Sequence, residues 1–106
     1  MAKYLVRASY TPEGVKGLLR SGGTARKQVV EKTINDMGGT LEAFYFAFGD
    51  ADAYVIVSLP DSIAAAALAL NINTSLQVSV TSTLLLDPED IDEAAKKSVS
   101  YRAPGN

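Results

Sequence analysis

Between Tyr4 and Tyr10 the chain alternates Tyr4, Val6, Ala8 and Tyr10 with Leu5, Arg7 and Ser9. That period of two predicts a strand with two distinct faces. Thr11-Pro12-Glu13 follows as a helix start, with Thr11 as cap and Pro12 at the first helical position. Apolar residues then recur at Val15, Leu18 and Leu19, and again at Val29, Val30, Thr33, Ile34 and Met37. Both runs have helical spacing. Gly22 and Gly23 lie between them, and two glycines would cost a continuous helix roughly 2 kcal/mol relative to alanine. A short helix, a break and a second helix capped by Thr24 are expected, with Gly38-Gly39 as its left-handed end.

Thr40 to Phe48 is rich in aromatics and reads as a second strand. Ala53 to Leu59 is apolar on both sides, the pattern of a strand central to its sheet and covered on both faces. Pro60-Asp61-Ser62 stops it and caps a helix from Ile63 to Leu70, whose alanines permit close approach to a sheet. Leu76 to Leu86 alternates again and predicts a fourth strand. Asp87-Pro88-Glu89 opens a polar helix through about Lys97, with acids in its first turn. Tyr101 to Asn106 reads as an irregular tail.

The order β-α-β-β-α-β plus a C-terminal helix, with right-handed crossovers, predicts the ferredoxin-like α+β arrangement: an antiparallel four-stranded sheet with its helices on one face. Residues 1–98 form the domain and 99–106 the tail. If Val6, Ala8, Val55, Val57, Val78 and Val80 pack under the helices, the open face carries Leu5, Arg7, Phe44, Phe46, Tyr54, Ile56, Ser79 and Thr81. That face is too apolar to stay in water over a whole sheet. A second copy laid face to face would bury it, so a homodimer is expected, with a higher oligomer also open.

A length of 106 residues fits one domain. The net charge of −2 gives no general pull towards nucleic acid or an anionic membrane. No apolar stretch reaches the length of a membrane span. Met1-Ala2-Lys3-Tyr4 lacks the apolar core of a secretory signal, and a cytoplasmic location is expected. The chain has no cysteine and no histidine. Serine triads of the Ser-His type and Cys–His pairs are therefore excluded, and carboxylates alone favour hard ions over zinc, copper or haem iron. No cofactor or metal is expected.

With these residues in view, the chain resembles the GYD domain proteins, small bacterial and archaeal domains of the dimeric α/β barrel type. The resemblance runs from Tyr4 to the last helix. It rests on Tyr10-Thr11-Pro12-Glu13-Gly14-Val15-Lys16, Arg26, Met37-Gly38-Gly39, Phe44-Tyr45-Phe46-Ala47-Phe48-Gly49, Asp52, Leu59-Pro60-Asp61 and the alanine helix. The Gly-x-Tyr-Asp that names the family maps onto Gly49, Asp50, Ala51 and Asp52, with alanine in place of tyrosine. The family often has an acid where Ser58 stands and a glycine near Thr74 and Ser75. The resemblance implies a fold and a dimer, and no activity. Related dimeric barrels include monooxygenases, haem-handling enzymes and ligand-sensing domains, which is fold analogy alone.

Three groups of residues are candidates for function. Gly49, Asp50 and Asp52 form a turn between strands, in which glycine supplies positive φ and aspartate bonds locally to backbone N–H groups. Two such carboxylates could instead share a hard cation, but no calcium-loop spacing follows. Gly22, Gly23, Thr24 and Arg26 could hold an anion at a helix start, although they lack the ending of a P-loop. On the open face, Arg7 must be paired, with Glu42 as the candidate partner, or bind an acidic ligand. Tyr10, Tyr45 and Tyr54 could line the same space, and the ligand set there is Arg7, Tyr10, Glu42, Phe44, Phe46, Tyr54 and Ser58. The expected function is a non-catalytic module that binds a small acidic or aromatic ligand, or a partner. A cofactor-independent monooxygenase or isomerase and a structural assembly protein are the alternatives.

Overall fold

A computed structural model describes residues 1–106. The elements follow in the order β1 (Ala2–Tyr10), α1 (Pro12–Ser21), α2 (Gly23–Asp36), β2 (Thr40–Phe46), β3 (Ala53–Leu59), α3 (Ser62–Asn73), β4 (Val78–Leu85) and α4 (Pro88–Ala95). The four strands form one sheet in the order β2-β3-β1-β4, and every neighbouring pair is antiparallel. This is the ferredoxin-like α+β arrangement, with β3 and β1 at the centre.

Local chemistry explains most of the boundaries. The Thr11 hydroxyl accepts from the Gly14 N–H at 3.3 Å and the Asp61 carboxylate from the Ala64 N–H at 2.8 Å, capping α1 and α3. At the end of α2, Gly38 has φ +82°, and the Gly39 N–H returns to the Ile34 carbonyl at 3.0 Å. One expectation fails: Thr24 does not cap α2. The helix starts two residues earlier, with Gly22 as cap and no side-chain cap bond, so Thr24 is exposed inside the first turn. α3 also runs a turn past Leu70, to Asn73.

β3 alternates between buried and half-buried residues along its whole length. Its buried side joins Tyr4 and Val6 of β1, Ile34 of α2, and Ala65 and Leu68 of α3 in the core. α2 packs over β2 and α3 over β4, the two outer strands, and the two helices hardly touch each other. The middle of the sheet is therefore roofed only along its sides.

Beyond Leu85 the chain leaves the body. Every residue from Leu86 to Asn106 is exposed, and α4 packs against no other element to any extent. The radius of gyration is 16.9 Å, against about 13 Å for a domain of this length. No helix is long and apolar enough to cross a membrane.

Candidate functional site

The strand register sorts the candidate residues between the two faces of the sheet. Arg7 pairs with Tyr54 and Thr81, and Leu5 with Ile56 and Thr83, all on the face away from the helices. Phe44 and Phe46 do not join them. Phe44 packs against the core, and the Phe46 ring lies under the start of α2, so close that a Cβ on Gly23 would come within 2.9 Å of it. The two rings meet edge to face, 5.1 Å apart. The cause is a β-bulge: Leu41 faces Val57 and Ala43 faces Ile56, which leaves Glu42 as an extra residue. One added residue reverses which side chains face the core from there on. Ala43 and Tyr45 therefore occupy the open face in place of the two phenylalanines.

The expected pairing of Arg7 with Glu42 is also absent. The Glu42 carboxylate accepts from the Ser58 hydroxyl and lies 3.3 Å from the Lys3 ammonium. These contacts, the Ser58 bond foremost and Lys3 after it, hold the Glu42 carboxyl below the usual carboxylate range against the opposing effect of burial. Arg7 forms no ion pair. Its guanidinium lies 5.7 Å from the centre of the Tyr54 ring, a cation–π contact, and its Nε is buried without a hydrogen-bond partner.

The signature turn does something the sequence does not suggest. Asp52 accepts the Tyr10 N–H at 2.8 Å through its carboxylate, and its own N–H donates to the Ala8 carbonyl at 2.8 Å. These two bonds are long-range and tie the β2–β3 connection to the end of β1, while the Asp52 carbonyl closes the turn locally by accepting the Ala47 N–H at 2.8 Å. Gly49 and Asp50 stay exposed at the tip, and Ala51 is buried. No three acids in the structure come together to hold a metal ion.

A deep concavity lies on the other face of the sheet. A cleft of about 320 Å³ opens between α2 and α3, floored by the central strands through Val6, Ala8, Val55 and Val57. Phe44, Val29, Val30, Leu68, Ile72 and Val80 are among its walls, and its polar lining is Tyr10, Arg26, Thr33, Asn71, Ser75 and Gln77. A second groove of about 290 Å³, between α1 and α2, shares Tyr10, Arg26, Val29, Gln77 and Val78 with it and adds Glu13 and Arg20. Tyr10 thus faces the helices, away from Arg7 and Tyr54. Of the proposed anion group, Gly22 and Gly23 form the α1–α2 joint, while Arg26 reaches both cavities.

The sequence model of the GYD domain matches residues 4–95. The chain belongs to the GYD domain family. No curated protein and no solved structure matches it. In this GYD domain the name-giving turn fastens β1 to the β2–β3 connection, and alanine stands buried at its third position. The cleft residues Val29, Val80 and Gln77 were not among the sequence candidates. A signal for the site does exist in the sequence: Arg26 falls on the same helical stripe as Val29, Val30 and Thr33, a charge on the face that packs towards the sheet.

Proposed function

We propose that this GYD domain is a cytoplasmic, homodimeric module that binds a small, largely apolar ligand in the cleft between α2 and α3. The cleft carries the reading. It is concave, mostly apolar and floored by the central strands, with a few polar groups (Tyr10, Arg26, Thr33, Asn71, Ser75 and Gln77) in its lining, as small-molecule sites are. Tyr10 and Arg26 are the ionisable side chains that line it. An oxygenase or isomerase would want an acid–base pair beside the substrate, so this lining supports binding over turnover.

The dimer is supported by area. The isolated chain exposes 7450 Å², whereas a folded monomer of its mass exposes about 5700 Å². Leu5, Tyr54 and Ile56 on the open face and Leu86, Ile91, Val99 and Tyr101 on the arm contribute to the difference. The excess is of the size a stable homodimer removes from each partner.

The neutral fluorophore N-phenyl-1-naphthylamine tests the cleft. The expected result is saturable fluorescence at one site per chain, weakened at least tenfold in Val80→Phe, which fills the cleft. Melting temperature and circular dichroism establish that this variant is folded. Equal binding by the folded variant and the parent overturns the reading. Light scattering at micromolar concentration tests the dimer, and a monomer mass overturns it.

A further inference from the structure

We propose that the ligand of the cleft is a monocarboxylate with an apolar body, its carboxylate held by Arg26. This rests on the cleft being a ligand site. The observation behind it is an arginine with nothing to bind. Arg26 forms no ion pair, its side chain makes no hydrogen bond, and its Nε is cut off from solvent without a partner. The buried Nε sets the guanidinium into the wall, and its terminal nitrogens, which no residue of the chain engages, are the donors that an acceptor in the cleft can meet. No acidic residue lines the cleft to supply one. Glu13, the acid that lines the adjoining groove, is engaged by the Lys16 ammonium at 3.5 Å.

Arg7, whose Nε is also unpartnered, differs in a way that matters. It lies over Tyr54 on the open face, where the ring gives its charge a partner. Arg26 stands instead where the apolar cleft and the groove meet, beside Tyr10 and Gln77. A guanidinium presents a planar fork that matches a carboxylate, and Tyr10 and Gln77 can donate to the same oxygens. Arg26 is the one cation that lines the cleft, which matches a head of single charge. The apolar part of the ligand would lie over Val6, Val55 and Val80. At about 320 Å³ the space is near the lower bound for small-molecule sites. It is about twice the ~150 Å³ cavity that holds one benzene, so a body of one or two rings, or a short acyl chain, fits.

Isothermal titration of the intact protein with 2-naphthoate, 2-naphthamide and 2-naphthyl phosphate tests the proposal. The wild-type protein should bind 2-naphthoate at least tenfold more tightly than 2-naphthamide. Arg26→Gln should erase that preference while still binding 2-naphthamide, and Arg7→Gln should retain it. Equal binding of acid and amide by the wild type overturns the carboxylate assignment and leaves the cleft as a site for neutral ligands. A preference that survives in Arg26→Gln overturns the role of Arg26. Tighter binding of the phosphate than of the carboxylate overturns the single-charge head. If none of the three binds, the reading of the cleft as a ligand site falls, and this proposal with it.

Discussion

Val57 and Ile56 are neighbours on β3, both aliphatic and β-branched, and they live in opposite environments. Val57 is 1% exposed beneath the helices, whereas Ile56 sits half-buried on a face that no part of its own chain covers. The same contrast holds across the sheet. On the helix side the valines of the central strands meet Ile34, Ala65 and Leu68. On the open side Leu5, Ile56 and Tyr54 are set among Ser9, Thr81 and Thr83. The first face has the composition of a core that one chain completes. The second is too apolar for water and too polar for a sealed core, the mixture found where a second copy packs. On the proposed homodimer, stability and assembly fall to alternate residues of one strand.

That division is most directly broken by the same substitution at the two neighbours. Val57→Asp places an unpaired carboxylate in the core and should cost about 4 kcal/mol or more, enough to abolish the cooperative urea transition. Ile56→Asp should leave circular dichroism and monomer folding intact while halving the mass seen by light scattering. If Ile56→Asp unfolds the chain instead, the open face belongs to the fold. A milder cut on the helix side, Ile34→Ala, should lower unfolding free energy by about 2–5 kcal/mol, since Ile34 is the largest fully buried side chain.

Asp52→Ala removes the acceptor of the Tyr10 N–H and should cost about 1–3 kcal/mol in urea unfolding. An unchanged midpoint would mean that the signature turn does not fasten β1. The smallest effect concerns pH at the edge of the open face. The Ser58 hydroxyl and Lys3 depress the Glu42 carboxyl. A depressed carboxyl contributes stability above its unfolded pKa and loses it as pH falls through the lower folded value. The contact should therefore survive at neutral pH and vanish in acid below the ordinary carboxylate range. Ser58→Ala should move the Glu42 midpoint in a carbon-13 titration upwards, towards the ordinary value, and no movement would remove Ser58 as the cause.

Much of the fold was legible because its signals are local. The caps at Thr11 and Asp61, the glycine end of α2 and the alternation in β1 each depend on a few consecutive residues. The site was less legible. The two phenylalanines were misplaced because strand periodicity carries straight through Glu42, while the real strand inserts that residue as a bulge. Arg7 was paired with the wrong expectation for a related reason: the bulge leaves Glu42 with Ser58 and Lys3 instead.

By itself the sequence determined the order of elements, the ferredoxin-like class, the family, and the presence of an apolar open face, since these follow from periodicity, capping and the signature motifs. Only the tertiary structure decided which side of β2 meets the helices, that Asp52 bonds to β1, and that α2 and α3 stand apart over the central strands. It also brought Arg26 and Tyr10 together at the mouth of a cleft, across elements separated in sequence. The physical reason is that pattern reports what each segment needs to bury. A bulge, a long-range bond and the width of a gap depend on how separate segments meet, and no window of residues contains that distance.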